Sequence, residues 1–180
     1  MPEHEPSPSR RVIYRGKKID LALQSVRLAD GSLAEREVVL HPGAVALVPM
    51  VDADHVCLVS NDRYAVGETL LEVPAGTIDE GESPDRTAAR ELAEETGYRA
   101  GKITLLRWWH VSPGVMNERM FLYLCEDLTP GPTDHQPDER LETQIVPWPE
   151  ALAMVQDGRI RDAKTMLAIL LCEQSRIGSQ

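Results

Sequence analysis

The chain has 180 residues, 42% of them hydrophobic, which suits one domain with a sizeable core and a small extension. Its 29 acidic and 19 basic residues give a net charge of −10 and a pI near 5.0. That balance argues against a broad nucleic-acid footprint or an anionic membrane surface as partner. Residues 1–10, rich in proline and polar groups, read as a disordered tail. The opening MPEHEPSPSRR has no apolar signal core, and no segment is long enough to span a bilayer. Val12–Tyr14 reads as a short strand, and Ile19–Leu28 alternates apolar and polar residues. Ala29-Asp30-Gly31-Ser32 is a turn, and Leu33–His41 returns as the second arm of an antiparallel hairpin. Residues 11–42 thus form an N-terminal β extension, and 43–175 the main domain.

Ala44–Met50 is a continuous apolar run and reads as a buried strand; Asp52–Asp54 turns it into a strand at Val56–Ser60. Leu70–Val73 leads into Pro74-Ala75-Gly76. A helix follows over Pro84–Thr96, with Ser83 as capping hydroxyl, Pro84 in the first turn and Asp85 at the positive dipole end. Gly97 stops it. The 3.6-residue period places Ala88, Ala89, Leu92, Ala93 and Thr96 on one face, able to approach a sheet closely, and Glu91, Glu94 and Glu95 on another. Lys102–Val111 and Met120–Cys125 read as strands, 127–140 as a long acidic, proline-rich loop, and Thr143–Trp148 as a strand. Helices at Pro149–Gln156 and Asp162–Glu173 flank Gly158. Many strands with a few helices indicate an α+β layering. Cys57, Cys125 and Cys172 show neither a disulfide framework nor zinc spacing, and fit buried small hydrophobes in a reducing cytoplasm.

The three glutamates sit badly for stability. They crowd a helix C-terminus, where each anion costs about 0.3–1 kcal/mol, and Glu91 and Glu95 repel at i,i+4 spacing. Arg90 can pair with Glu94. A local rule broken without visible compensation marks a candidate functional site, and a hard divalent cation would compensate it. Taken alone, three such carboxylates are more readily a solvated acidic face.

The surrounding pattern weighs against that. Gly76, Glu82 after five intervening residues, then Arg90-Glu91-Leu92, Glu94-Glu95 and Gly97-Tyr98 fill every fixed position of G-x5-E-x7-R-E-U-x-E-E-x-G-U, with Tyr98 a mild departure at the last apolar position. The stretch resembles the box of the Nudix family, most of whose members cut diphosphate linkages with a divalent metal. The resemblance implies a mixed β-sheet sandwiched between α-helices, with the antiparallel β-hairpin as an N-terminal extension. Arg63-Tyr64-Ala65-Val66-Gly67-Glu68, Leu71-Glu72-Val73-Pro74-Ala75-Gly76, Pro113 sixteen residues after Gly97, and Gly158–Thr165 are similar to the ADP-ribose pyrophosphatase branch.

That branch implies hydrolysis of ADP-ribose to AMP and ribose 5-phosphate, with magnesium, or manganese in its place. Glu91 and Glu95 would ligate metal, with Glu94 sharing the site and the Ala75 carbonyl beside it. Gly76, Glu82, Arg90 and Gly97 would support the box. Arg63, Glu72, Pro113 and Gly114 would contact substrate; Glu72 could instead bind metal near the box, or equally be a plain strand carboxylate. The general base would come from the acidic loop, as Glu139 or Glu142, with Asp138 beside them. Ile19 stands where an aromatic stacking residue is common. The branch further implies a cytoplasmic homodimer that exchanges the N-terminal hairpin. Other expectations stay open: a different sugar nucleotide, a dinucleotide or an oxidised nucleotide as substrate, or a non-catalytic ADP-ribose-binding module.

Overall fold

The computed structural model describes residues 9–133 and 141–177. Of residues 1–10, expected as a tail, 1–8 lie outside the described residues, and Arg10 opens the first strand. The chain divides into two compact units: the described residues up to Gly43 with His110–Arg119, and Ala44–Trp109 with the described residues from Met120 on.

The first unit is a three-stranded antiparallel meander, β1 (Arg10–Arg15), β2 (Asp20–Arg27) and β3 (Leu33–Leu40), in that order. β1 and β2 shift register between Val12 and Tyr14. The turn between β2 and β3 falls where its residues predict: the Ser32 amide donates to the Asp30 carboxylate at 2.9 Å. Beyond β3, Val39 bridges Met116, and the His41 amide donates to Asn117 at 2.8 Å.

In the second unit, β4 (Ala44–Pro49) is buried along its whole length. It pairs in parallel with β9 (Arg119–Pro130) and antiparallel with the three-residue β7 (Ala75–Thr77). With β8 (Tyr98–His110) these form a mixed sheet in the order β7-β4-β9-β8. A parallel strand buried on both faces has no polar alternation, which is why the β4 sequence is an unbroken apolar run. Its successive side chains enter two cores. Ala44, Ala46 and Val48, with Met120 and Leu122 of β9, pack with Ala151, Ala168, Ile169 and Cys172. Val45 and Leu47, with Tyr123 and Cys125, pack with Ala88 and Leu92.

The first core belongs to helices α2 (Trp148–Gln156) and α3 (Ala163–Ile177), the second to α1 (Pro84–Thr96). The sheet is therefore sandwiched between helices, as the resemblance implies. A second, antiparallel sheet runs β10-β5-β6, from β5 (His55–Arg63), β6 (Glu68–Glu72) and β10 (Leu141–Pro147). All three cysteines are buried and free. Of the two tryptophans on β8, Trp109 packs against the first core and Trp108 is exposed.

Four expectations are corrected. Ser83 makes no side-chain capping bond; the Thr87 amide bonds its carbonyl instead. Ala89 is exposed, and the buried face of α1 is Thr87, Ala88, Glu91, Leu92, Glu95 and Thr96. β9 runs on to Pro130, so the expected loop loses its first residues; Asp127 takes a left-handed φ of 55° within the strand rather than ending it. The segment at Ala75–Thr77, read only as a lead into the box, is a strand. No helix among the described residues is long and apolar enough to cross a membrane.

Candidate active site

The site is built where β7 meets the C-terminal half of α1. Gly97 ends that helix at φ 72°, its amide bonded to Ala93, and a side chain there would meet the Gly131 carbonyl at 2.6 Å. Gly76 lies opposite Val45 on the edge strand. A Cβ on Gly76 would stand 1.8 Å from the Glu91 carboxyl carbon. The glycine thus lets the Glu91 carboxylate lie directly on the β7 backbone. One turn later, Glu95 accepts the Ala75 amide at 3.0 Å. Glu91 and Glu95 are both buried.

Arg90 organises the remaining charge. Its guanidinium reaches Glu91 at 2.7 Å, Glu82 at 3.0 Å and Glu94 at 3.1 Å, with Asp79 at 3.6 Å. It also donates to the Thr77 carbonyl at 3.3 Å, tying β7 to the helix. Burial works against its charge, but the hydrogen bonds to Glu82 and Glu91 outweigh this and hold its pKa above the ordinary arginine value. The bond from Arg90 holds the Glu82 carboxyl below the usual glutamate range, helped by the Thr87 hydroxyl at 2.8 Å.

One guanidinium therefore faces four carboxylates, with buried Glu95 as a fifth nearby. The donors around Ala75 and Gly76 are oxygens only, which fits a hard divalent cation. Among the described residues, no three His, Cys, Asp or Glu side chains stand grouped as a ready-made metal centre. Glu91 and Glu94 are turned to Arg90, and a cation would take their oxygens from it while Glu82 and Asp79 keep it paired. Glu91, Glu94, Glu95 and the Ala75 carbonyl are the groups that could hold it.

A second polar assembly lies at the end of β6. Glu72 is 1% exposed. Arg63 donates to both of its oxygens, at 2.8 Å from Nε and 2.6 Å from Nη2. The Lys164 ammonium bonds the same carboxylate. The bonds to Glu72 raise the Arg63 pKa above its ordinary value, against the effect of burial and with help from the charges of Glu72, Glu95 and Asp162. Lys164 and its partner Asp162 had no assigned role in the sequence; the only signal was that Gly158–Thr165 followed a branch pattern.

The other expected residues are dispersed. Pro113 and Gly114 belong to the first unit, where they line a cleft of about 330 Å3 with Gln24, Val38, His110 and Asn117 among others. Glu142 is exposed and sits on β10 opposite Ser60, on a strand rather than in the loop where it was expected. Asp138 and Glu139 lie outside the described residues. Ile19 is exposed.

A NUDIX domain model matches residues 40–169. The chain is 38% identical to ADP-ribose pyrophosphatase of Bacillus subtilis (strain 168), over 92% of this chain and 90% of that one. It is 33% identical to a methanol dehydrogenase activator of Bacillus methanolicus, over 87% and 86% of the two chains. A crystal structure of an ADP compounds hydrolase superposes with a TM-score of 0.84 over 98% of each chain; at 24% identity it speaks for the fold alone. The chain belongs to the Nudix family, with the α+β fold of that family, and is a Nudix hydrolase.

Two outcomes follow from the geometry. Gly76→Ala leaves the fold intact, because the atoms nearest its new methyl are the far end of the Glu91 side chain, but it pushes that carboxylate off β7. Calorimetry should then show divalent-metal affinity weakened by roughly 10–100-fold. The lowered pKa of Glu82 adds stability that is complete above the ordinary glutamate range and is lost as the pH falls from there through the depressed value. Thermal melts of Glu82→Gln against wild type should therefore differ at pH 7 and converge as the pH falls below the ordinary glutamate range; a constant gap would show that the carboxylate charge is not the cause.

Proposed function

We propose that this chain hydrolyses the diphosphate of ADP-ribose to AMP and ribose 5-phosphate with magnesium, manganese serving in its place. The observation that carries the reading is the surplus of carboxylate around Arg90 and β7, in a chain 38% identical to an ADP-ribose pyrophosphatase over nine-tenths of its length. Two of the cluster's members, Glu91 and Glu95, are buried, and buried carboxylates are costly unless a cation completes the cluster.

Glu91, Glu95, Glu94 and the Ala75 carbonyl would hold the metal. When bound, a divalent cation offsets phosphate charge and lowers the pKa of a nearby water. Arg63, 40% exposed at its side chain and fixed by Glu72, offsets further negative charge on the diphosphate. Glu72, buried under two cations, then acts through Arg63 rather than touching substrate itself. The attacking water's oxygen bonds to phosphorus, the bond to the bridging oxygen breaks, and a carboxylate accepts the water's proton. Glu139 and Glu142 are the candidates for that base. Glu82 and Arg90 keep the ligating helix on β7, and Gly97 ends it behind them. Pro113 and Gly114 would contact substrate.

The same reading gives 11–42 as an N-terminal β extension, 43–175 as the catalytic domain, a cytoplasmic homodimer built on the extension, and no nucleic-acid or membrane partner.

The test is a substrate panel with magnesium, resolved by chromatography, on wild type and Glu95→Gln. ADP-ribose should be cleaved best, and the variant should lose more than about 100-fold in kcat/KM with an unchanged far-ultraviolet circular dichroism spectrum. Preferential cleavage of GDP-mannose, a dinucleotide or an oxidised triphosphate would replace the substrate. Binding of ADP-ribose without product under any metal would leave a sensor in place of an enzyme.

A further inference from the structure

The polar assembly at Glu72 is a closed ring. Glu72 takes the Arg63 fork on one side and the Lys164 ammonium on the other. Lys164 also donates to Asp162 at 2.9 Å. Asp162 accepts the Thr165 amide at 2.9 Å, which caps the start of α3, and the Thr165 hydroxyl as well. That hydroxyl in turn accepts the Val73 amide at 3.0 Å, and Val73 follows Glu72 in the chain. The ring joins the end of β6 to α3, and its Val73 bond lies two residues before Ala75.

The charges in the ring balance: Arg63 and Lys164 against Glu72 and Asp162. Lys164 is 15% exposed at its side chain, and Arg63 is the most open member at 40%. Without the ammonium, Arg63 would face buried Glu72 and half-buried Asp162 alone, and Glu95 besides, whose charge it also feels. Its guanidinium would then be spent within the protein instead of facing an incoming anion.

We infer that Lys164 is a positioning residue for the diphosphate: by neutralising Glu72 and Asp162 from the α3 side, it leaves the Arg63 charge available to the substrate. This deepens the proposed function and rests on Arg63 being a substrate contact. It differs from a strut that merely fastens α3, because it depends on charge balance, and charge can be restored without restoring the bond.

The test uses the full chain and whichever nucleoside diphosphate derivative wild type cleaves best, so failure of ADP-ribose as substrate is read separately. Steady-state kinetics is paired with calorimetric binding of the matching non-hydrolysable α,β-methylene analogue. Lys164→Met should raise KM and the analogue Kd about tenfold while kcat changes less than about threefold. Asp162→Asn placed in the same chain should recover much of that loss, since it removes the carboxylate left unneutralised. Asp162→Asn alone keeps a helix-capping side chain and should leave KM equal or lower; this arm stands even if Lys164→Met fails to fold. Three outcomes overturn the assignment: KM and Kd within twofold of wild type in Lys164→Met, a further loss in the double variant, or a raised KM in Asp162→Asn.

Discussion

The structure turns on one constraint: a helix end loaded with carboxylates is laid on the backbone of an edge strand, with the Arg90 guanidinium bridging Glu91, Glu82 and Glu94. Glu91 reaches β7 because Gly76 has no side chain, and Glu95 is fixed by the Ala75 amide. Arg90 spans the gap between helix and strand and absorbs what charge it can. Burial of Glu91 and Glu95 without a cation would be expensive. The cluster is tolerable if an ion occupies it during function, and that same ion is what a diphosphate needs.

The fold supplies the rigidity that this arrangement requires. β4 is buried on both faces and carries β7 on one edge, so the strand under Glu91 is fixed by the most buried element of the unit. Ala88 and Leu92 of α1 pack on Val45 and Leu47, setting the helix height above the sheet. The ring at Glu72 does the corresponding work for Arg63, with α3 as its base. The two charged assemblies thus stand on opposite helical layers of one sheet and flank the segment from Glu72 to Gly76.

Much of this was legible in the chain. Pro84, Asp85 and Gly97 placed the helix from Pro84 to Thr96 and its stop, because a proline and an acid in the first turn and a glycine at the end act locally, even though Ser83 makes no capping bond. The buried face was misread at Ala89, since apolar counting favours alanine over glutamate. What decides the matter is Gly76, whose missing side chain admits Glu91, and the Ala75 amide that satisfies Glu95. β7 was missed because three residues show no period; its pairing with β4 defines it. The Lys164 bond to Glu72 spans 92 positions, beyond the reach of any local pattern.

The claim that a divalent ion completes the carboxylate cluster is tested most directly by electron paramagnetic resonance of manganese(II) titrated into the protein. Wild type should remove the free-ion signal stoichiometrically, and a folded Glu91→Gln/Glu95→Gln variant should leave it unchanged at the same concentrations. Equal uptake by both proteins would contradict the account.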